Sequence, residues 1–146
     1  MTKLSILMPV YNEQQWLEKI VLRVLAQEIP GIQAKELVIV DDGSVDQSRQ
    51  ILERLAQTFP GQLQVIFHEK NKGKGAAIRT AIQRVTGDIC LIQDADLEYN
   101  PADYFLLLEP IIDGRADCVY GSRFTGTQPK RVLFFWHYVG NKMITL

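Results

Sequence analysis

The sequence predicts a Rossmann-like α/β domain, in which helices cover both faces of a mostly parallel sheet. Short apolar segments alternate along the chain with segments whose apolar residues recur at helical spacing. The short segments are rich in Val, Ile and Leu, which is typical of strands buried inside a parallel sheet. No repeat, low-complexity tract or linker interrupts the alternation. We therefore expect residues 1–146 to form a single domain.

The first half of the chain predicts two strands, each followed by a helix. The strands are expected over residues 4–10 and 36–40, and both end in polar residues. Pro30-Gly31 ends the first helix, and a capping box of Ser44 and Gln47 is expected to begin the second. The residues predicted to face the core are Trp16, Leu17, Ile20, Val21, Val24 and Leu25 in the first helix and Ile51, Leu52, Leu55 and Ala56 in the second.

The second half predicts three more strands and two more helices. The strands are expected over residues 63–67, 89–92 and 117–120. A glycine-rich loop over residues 71–75 precedes a helix predicted over residues 76–85, and we expect a tight turn there rather than a phosphate contact. Pro101 is suited to the first position of the last helix, which Asp113-Gly114 ends.

Composition limits the partners of the chain. A formal net charge of -1 gives no reason to expect broad binding to nucleic acid. Cys90 and Cys118 lie in apolar segments, so we expect reduced core cysteines and a cytoplasmic location. No apolar run is long enough to span a bilayer. Residues 132–146 are apolar and aromatic without a polar tail, and we expect the chain to be the N-terminal part of a longer protein.

Polar side chains follow the predicted strands at the points where the strands end. Ligands of open parallel sheets bind outside the carboxyl ends of the strands, so these side chains predict a functional site. The groups concerned are Tyr11 and Glu13 after the first strand, Asp41 and Asp42 after the second, Asp94 and Asp96 after the fourth, and Arg123 after the fifth.

The segment over residues 89–98 predicts a metal and diphosphate site. Side chains alternate along an extended chain, so Asp94 and Asp96 would face one side, and Glu98 would join them if the extension continues. The chain lacks the glycine fingerprints of dinucleotide and P-loop sites, so a diphosphate would need a cation such as Mg²⁺ or Mn²⁺. The alternative is a solvated strand end that caps the next helix. Zinc is not expected, because the histidines and cysteines lack ligand spacing.

Motifs in several parts of the chain resemble those of the GT-A catalytic domain of family 2 glycosyltransferases. The resemblance covers essentially the whole chain. Within the family, residues 94–98, 121–123 and 136–142 together are similar to the dolichyl- or polyprenyl-phosphate sugar transferases. The motifs are Pro9-Val10-Tyr11-Asn12-Glu13, Val40-Asp41-Asp42-Gly43-Ser44, Asn71-Lys72-Gly73-Lys74-Gly75, Asp94-Ala95-Asp96 and Gly121-Ser122-Arg123.

This resemblance implies a set of donor-binding residues. Pro9, Tyr11 and Glu13 would line the nucleoside pocket, and Val40 and Asp42 would lie against the base and ribose. The remaining nucleotide-sugar contacts would come from Asp94, Ala95, Arg123 and Arg131, of which the arginines would meet the donor diphosphate or the acceptor phosphate.

The resemblance also implies catalytic and metal-binding residues. Asp96 and Arg123 would be catalytic. Asp96 would be the principal ligand of Mg²⁺ or Mn²⁺, followed by Asp94 and then by Glu98, which stands where relatives often carry Gln.

The implied reaction is the inverting, metal-dependent transfer of a hexose from a GDP- or UDP-sugar to a polyprenyl or dolichyl phosphate. Membrane contact would come through that acceptor or through a further C-terminal segment, at the cytoplasmic face. An ionised lipid phosphate needs no general base, which favours this acceptor. Two alternatives stay open: a family 2 transferase that acts on a saccharide or protein hydroxyl, and a fragment that binds nucleotide sugar without turnover.

Overall fold

A parallel sheet with helices on both faces forms the framework of the molecule, as the alternating sequence pattern predicted. The structure is a computed structural model that describes residues 1–121. In that range the strands are β1 (Lys3–Val10), β2 (Ala34–Asp41), β3 (Leu63–Phe67) and β4 (Ile89–Ile92). The helices are α1 (Leu17–Ala26), α2 (Ser48–Thr58), α3 (Lys74–Ile82) and α4 (Tyr104–Ile112), the last preceded by a 3₁₀ turn over Pro101–Asp103. None of these helices has the length and apolar character needed to cross a bilayer.

The strand order β3-β2-β1-β4 brings the carboxyl ends of the strands to one edge of the sheet. All pairings are parallel, and β1 and β2 stay in register from Lys3 opposite Ala34 to Val10 opposite Asp41. Asp41 also lies opposite Phe67, the last residue of β3. The residues that follow these strands therefore emerge side by side.

Two apolar layers fix the helices to the sheet. Side chains alternate along β1 and β2, so each strand contributes to both layers. The smaller layer includes Ala77 and Ala81 of α3, whose small side chains let that helix approach the sheet closely. Buried members of the larger layer are Leu4, Ile6, Met8, Val10, Leu17, Ile20, Val21, Val24, Ile29, Leu37, Ile39, Leu52, Leu55, Leu63, Ala95, Tyr104 and Leu108.

The structure corrects two predictions about helix starts. Trp16 is 39% exposed and is therefore not a core residue. It precedes the first turn of α1, whereas Leu17 and Ile20 lie within the helix and face the core. The capping box is also wrong, because α2 begins at Ser48, whose amide donates to Asp46 Oδ1 at 2.9 Å. The Ser44 hydroxyl donates instead to the Asp41 carboxylate.

Predictions for the segments around β4 also need correction. Cys90 and Cys118 are exposed rather than buried in the core, and Ile92 is exposed as well. Within residues 1–121, β4 pairs with β1 alone, while α3 packs over β1 and β2, so one face of β4 stays accessible. Residues 117–120 are not a strand, because no described strand pairs with them.

Glu36 joins three segments at the amino-terminal end of the sheet. Its carboxylate accepts from Lys3 Nζ at 2.8 Å, from Ser5 Oγ at 2.6 Å and from the Thr86 amide at 2.6 Å. Burial alone would raise the pKa of Glu36, but these hydrogen bonds outweigh it and lower the pKa to about 2. Glu36 therefore ties β1, β2 and the segment before β4 together in its ionised form.

We expect Glu36→Gln to destabilise the fold in a pH-dependent way. The pKa of Glu36 is lower in the folded chain than its unfolded value of about 4.3, so the stabilisation is complete above that value and is lost as the pH falls toward 2. The variant should lose about 2 kcal/mol of unfolding free energy at neutral pH, measured by urea titration. Glu53→Gln, at an exposed ion pair with Arg49, should lose less than about 0.5 kcal/mol. A Glu36→Gln deficit that is the same at pH 7 and pH 3 would contradict this assignment.

Candidate functional site

A cleft of about 330 Å³ opens at the carboxyl edge of the sheet. It lies where the segments after β1, β2 and β4 meet the loop before α3. Most of the residues predicted from the sequence line it: Pro9, Tyr11, Glu13, Asp42, Asp94, Ala95 and Asp96. Val10, Asn71 and Lys74 complete the lining.

Within residues 1–121, Val40 and Glu98 are predicted donor or metal residues that do not line the cleft. Val40 is 0% exposed and packs with Ala77 in the layer between the sheet and α3, because alternation along β2 turns it inward. Glu98 is not a lining residue. Arg123 and Arg131 lie outside the described residues, so their predicted roles at phosphate groups remain predictions.

Hydrogen bonds between two loops hold one wall of the cleft. The Asn12 amide donates to Ser44 Oγ at 3.0 Å, and Asn12 Oδ1 accepts from the Val45 amide at 2.9 Å. The Glu13 amide donates to Ser48 Oγ at 2.9 Å. Asn12 has a φ of 56°, a left-handed conformation that Asn tolerates better than most residues. These contacts fix the loop that presents Tyr11 and Glu13 to the cleft.

Asp42 is a buried carboxylate that organises the opposite loop. It is 2% exposed and accepts from His68 Nδ1 at 2.6 Å, from the Lys72 amide at 3.0 Å and from the Gly73 amide at 2.7 Å. Burial alone would raise the pKa of Asp42, but the hydrogen bonds from His68 and the two amides lower it below its ordinary value. The ionised Asp42 thus holds the backbone that leads into α3.

His68 connects this carboxylate to α3. An ionised carboxylate can only accept, so His68 Nδ1 carries the proton toward Asp42. His68 Nε2 lies 2.9 Å from Thr80 Oγ1 on α3. The sequence gives no local signal for this role of His68, because its partners lie far from it along the chain.

The loops after β2 and β3 approach each other closely at Gly43. A Cβ atom at this position would lie 2.6 Å from the backbone carbon of Lys70 and 2.7 Å from the Asn71 nitrogen. Gly43 also has a φ of 72°, a conformation that favours glycine. The absence of a side chain at Gly43 therefore lets the loop with Asn71 reach the edge of the cleft.

The segment after β4 turns soon after leaving the sheet. The Gln93 amide pairs with the Leu7 carbonyl, and the buried Gln93 side chain accepts from the Tyr104 hydroxyl at 2.6 Å. Asp96 Oδ1 accepts from the Glu98 amide at 3.0 Å, which is a local turn. The extended geometry assumed for Asp94, Asp96 and Glu98 therefore does not continue to Glu98.

Negative charge accumulates in the cleft. The pKa of Glu13 is raised, first by burial and then by the charges of Asp96, Asp46 and Asp94. Residues 1–121 contain no group of three or more His, Cys, Asp or Glu side chains arranged to hold a metal ion. Asp94 and Asp96 offer two carboxylates, and one or two carboxylates suit a hard cation such as Mg²⁺, which takes its other ligands from phosphates and water. The donor set thus fits a metal that binds together with a nucleotide.

Lys74 and Asn71 are lining residues that sequence reasoning missed. Lys74 Nζ lies 2.5 Å from Asp94 Oδ1 across the cleft. The available signal was the position of the Lys-Gly-Lys-Gly loop, which follows a strand at the carboxyl edge of the sheet.

The family of the chain follows from its match to known proteins. Residues 5–138 match the family model described as Glycosyl transferase family 2. The chain belongs to glycosyltransferase family 2, which confirms the family that its motifs predicted.

Curated relatives are longer proteins that act on lipid phosphates according to their names. Dolichol-phosphate mannosyltransferase from Pyrococcus furiosus is 33% identical over 122 residues, covering 84% of this chain and 33% of the relative. Undecaprenyl-phosphate 4-deoxy-4-formamido-L-arabinose transferase from Photorhabdus laumondii is 36% identical over 101 residues, which cover 69% of this chain and 31% of the relative. The chain spans about a third of the length of these relatives.

Solved structures confirm the GT-A fold. Mannosyltransferase PcManGT from Pyrobaculum calidifontis, solved with GDP-Man and Mn²⁺, aligns with a TM-score of 0.61 at 30% identity, over 70% of this chain and 30% of that one. TarS residues 1–349 from S. aureus, solved with UDP-GlcNAc, align with a TM-score of 0.62 at 28% identity, over 77% of this chain and 31% of that one.

Replacing Gly43 should destabilise the fold more than replacing Gly61, a glycine with a similarly positive φ of 81° and open space around it. Gly61→Ala should cost about 1–2 kcal/mol of unfolding free energy from backbone strain alone. Gly43→Ala adds a backbone clash and should cost about 3–5 kcal/mol, measured by urea unfolding. Equal losses in the two variants would show that the close approach at Gly43 does not constrain the loops.

Proposed function

We propose that the chain binds a nucleotide diphosphate sugar in this cleft and supports transfer of the hexose, with inversion, to a polyprenyl phosphate. The observation that carries the proposal is the cleft itself, which gathers Tyr11, Glu13, Asp42, Asp94 and Asp96 at the carboxyl edge of the sheet. Family membership supports the chemistry. The names of the relatives support the class of acceptor.

Recognition of the nucleoside is assigned to the wall formed by the loop after β1. Tyr11 is partly exposed there and offers a ring face and a hydroxyl, while Pro9 and Glu13 border the same space. Asp42 lies below them with its oxygens already engaged by His68 and the loop amides. Its proposed role is therefore to hold the floor of the cleft in place for the base and ribose.

Asp94 and Asp96 are the residues that would hold Mg²⁺ or Mn²⁺. When bound, the metal ion supplies positive charge that stabilises the leaving diphosphate. Among the described lining residues, the carboxylates of Glu13, Asp94 and Asp96 face the single ammonium of Lys74, so a divalent cation would reduce the remaining repulsion of a diphosphate. The structure of the mannosyltransferase with GDP-Man and Mn²⁺ supports this pairing of donor and metal.

Transfer to a lipid phosphate needs no general base. A phosphate monoester is mostly ionised near neutral pH, so its oxygen can attack the anomeric carbon directly. The bond from that carbon to the donor diphosphate breaks, the nucleoside diphosphate leaves, and attack from the opposite face inverts the configuration. Arg123 and Arg131 are the proposed partners of the phosphates, and a lipid acceptor would bring the protein to the cytoplasmic face of a membrane.

Donor binding should depend on metal through Asp96. Isothermal titration of GDP- and UDP-sugars should show that one class binds and that Mn²⁺ tightens its binding. Asp96→Ala should weaken that binding by at least about tenfold in the presence of Mn²⁺. Asp113→Ala, an exposed carboxylate after α4, should bind as the unchanged protein does. The absence of nucleotide binding, or unchanged binding in Asp96→Ala, would contradict the site.

The acceptor should be a phosphate and not a hydroxyl. With the full-length protein, labelled sugar should pass to polyprenyl phosphate and not to the matching polyprenol, which has the same chain without the phosphate. Transfer to the polyprenol or to a saccharide would instead support a hydroxyl-using transferase.

A further inference from the structure

Lys74 places a positive charge among the carboxylates of the cleft. It is the first residue of α3, and its Nζ lies 2.5 Å from Asp94 Oδ1. Among the lining residues within the described range it is the one cation, whereas Glu13, Asp42, Asp94 and Asp96 are acids. Asp94 is also a proposed ligand of the divalent metal ion. Lys74 is therefore paired with a carboxylate that the metal would also bind.

The backbone of Lys74 is anchored while its side chain is accessible. The amides of Lys72 and Gly73, directly before it, donate to the buried Asp42 carboxylate, and this fixes the start of α3. The Lys74 side chain is 57% exposed and that of Asp94 is 25% exposed. A long lysine stem on a fixed backbone position can exchange partners within the cleft without any change in the loop.

We propose that Lys74 is a tethered cation that neutralises Asp94 in the donor-free protein and binds the donor diphosphate once metal has taken Asp94. This inference rests on the proposed function. Exposed ion pairs are held weakly, and a doubly charged ion attracts Asp94 and Asp96 more strongly than one ammonium does. The released ammonium has three N–H donors, which suit the oxygens of a diphosphate next to the metal. Lys74 is thus a further donor-binding residue that competes with metal when no donor is present.

The competition predicts opposite effects of Lys74→Met on two ligands. Without nucleotide, Mn²⁺ followed by electron paramagnetic resonance should bind about two- to fivefold tighter, because a competing cation is gone. With Mn²⁺ saturating, GDP or UDP, whichever the unchanged protein binds, should bind about five- to tenfold weaker. Lys74→Arg should restore diphosphate binding. Lys19→Met, which removes one charge from α1, should leave both affinities unchanged.

The outcomes separate this inference from the proposed function. If the unchanged protein binds Mn²⁺ and a nucleoside diphosphate but Lys74→Met matches it in both, the inference is wrong and the proposed function stands. Weaker binding of both ligands with a lower melting temperature would show a structural role for Lys74 and would also overturn the inference. If the unchanged protein binds neither ligand, the proposed function itself fails.

Discussion

A buried carboxylate, that of Asp42, holds together the edge of the sheet where the cleft lies. A charged group removed from water is costly unless donors replace its hydration, and here His68 and the amides of Lys72 and Gly73 do so. These partners come from the end of β3 and the loop before α3, so a single side chain after β2 fixes both. The next residue, Gly43, lies against the backbone of Lys70 and Asn71, so it also brings the loop after β2 to the loop before α3. The position of Lys74 in the cleft depends on this arrangement.

The parallel register explains why the chemistry gathers at one edge. β1 and β2 end side by side, and Gln93 continues the pairing of β4 with β1 before the chain turns at Asp96. Three loops from different parts of the sequence therefore deliver acids to one cleft. The pKa of Glu13 is raised by burial and by the charges of Asp96, Asp46 and Asp94. This shift is a consequence of the negative charge that gathers there. Lys74 offsets part of this charge, and the proposed metal ion would offset more of it for the proposed diphosphate ligand.

Much of the fold and part of the site could be predicted from sequence, since both depend on local patterns. Alternating apolar runs gave the strands, and polar residues after the runs gave Tyr11, Asp42 and Asp94. Predictions failed where a distant neighbour decides the outcome. Cys90 is exposed because no described helix covers its face of β4, and Ser44 accepts from the distant Asn12 amide rather than capping α2. The most informative groups that were missed, His68 and Lys74, act through partners that are remote in sequence, which local spacing does not reveal.

The central claim is that Asp94 and Asp96 hold a divalent metal ion in a cleft that binds a nucleotide diphosphate. Crystals of the protein grown with Mn²⁺ and a nucleoside diphosphate sugar would test it most directly, because the anomalous scattering of manganese locates the ion without assumptions about its ligands. We predict one strong peak within about 2.3 Å of a carboxylate oxygen of Asp94 or Asp96, with donor phosphates beside it. A manganese peak that contacts neither aspartate, with the nucleotide bound elsewhere, would contradict the account.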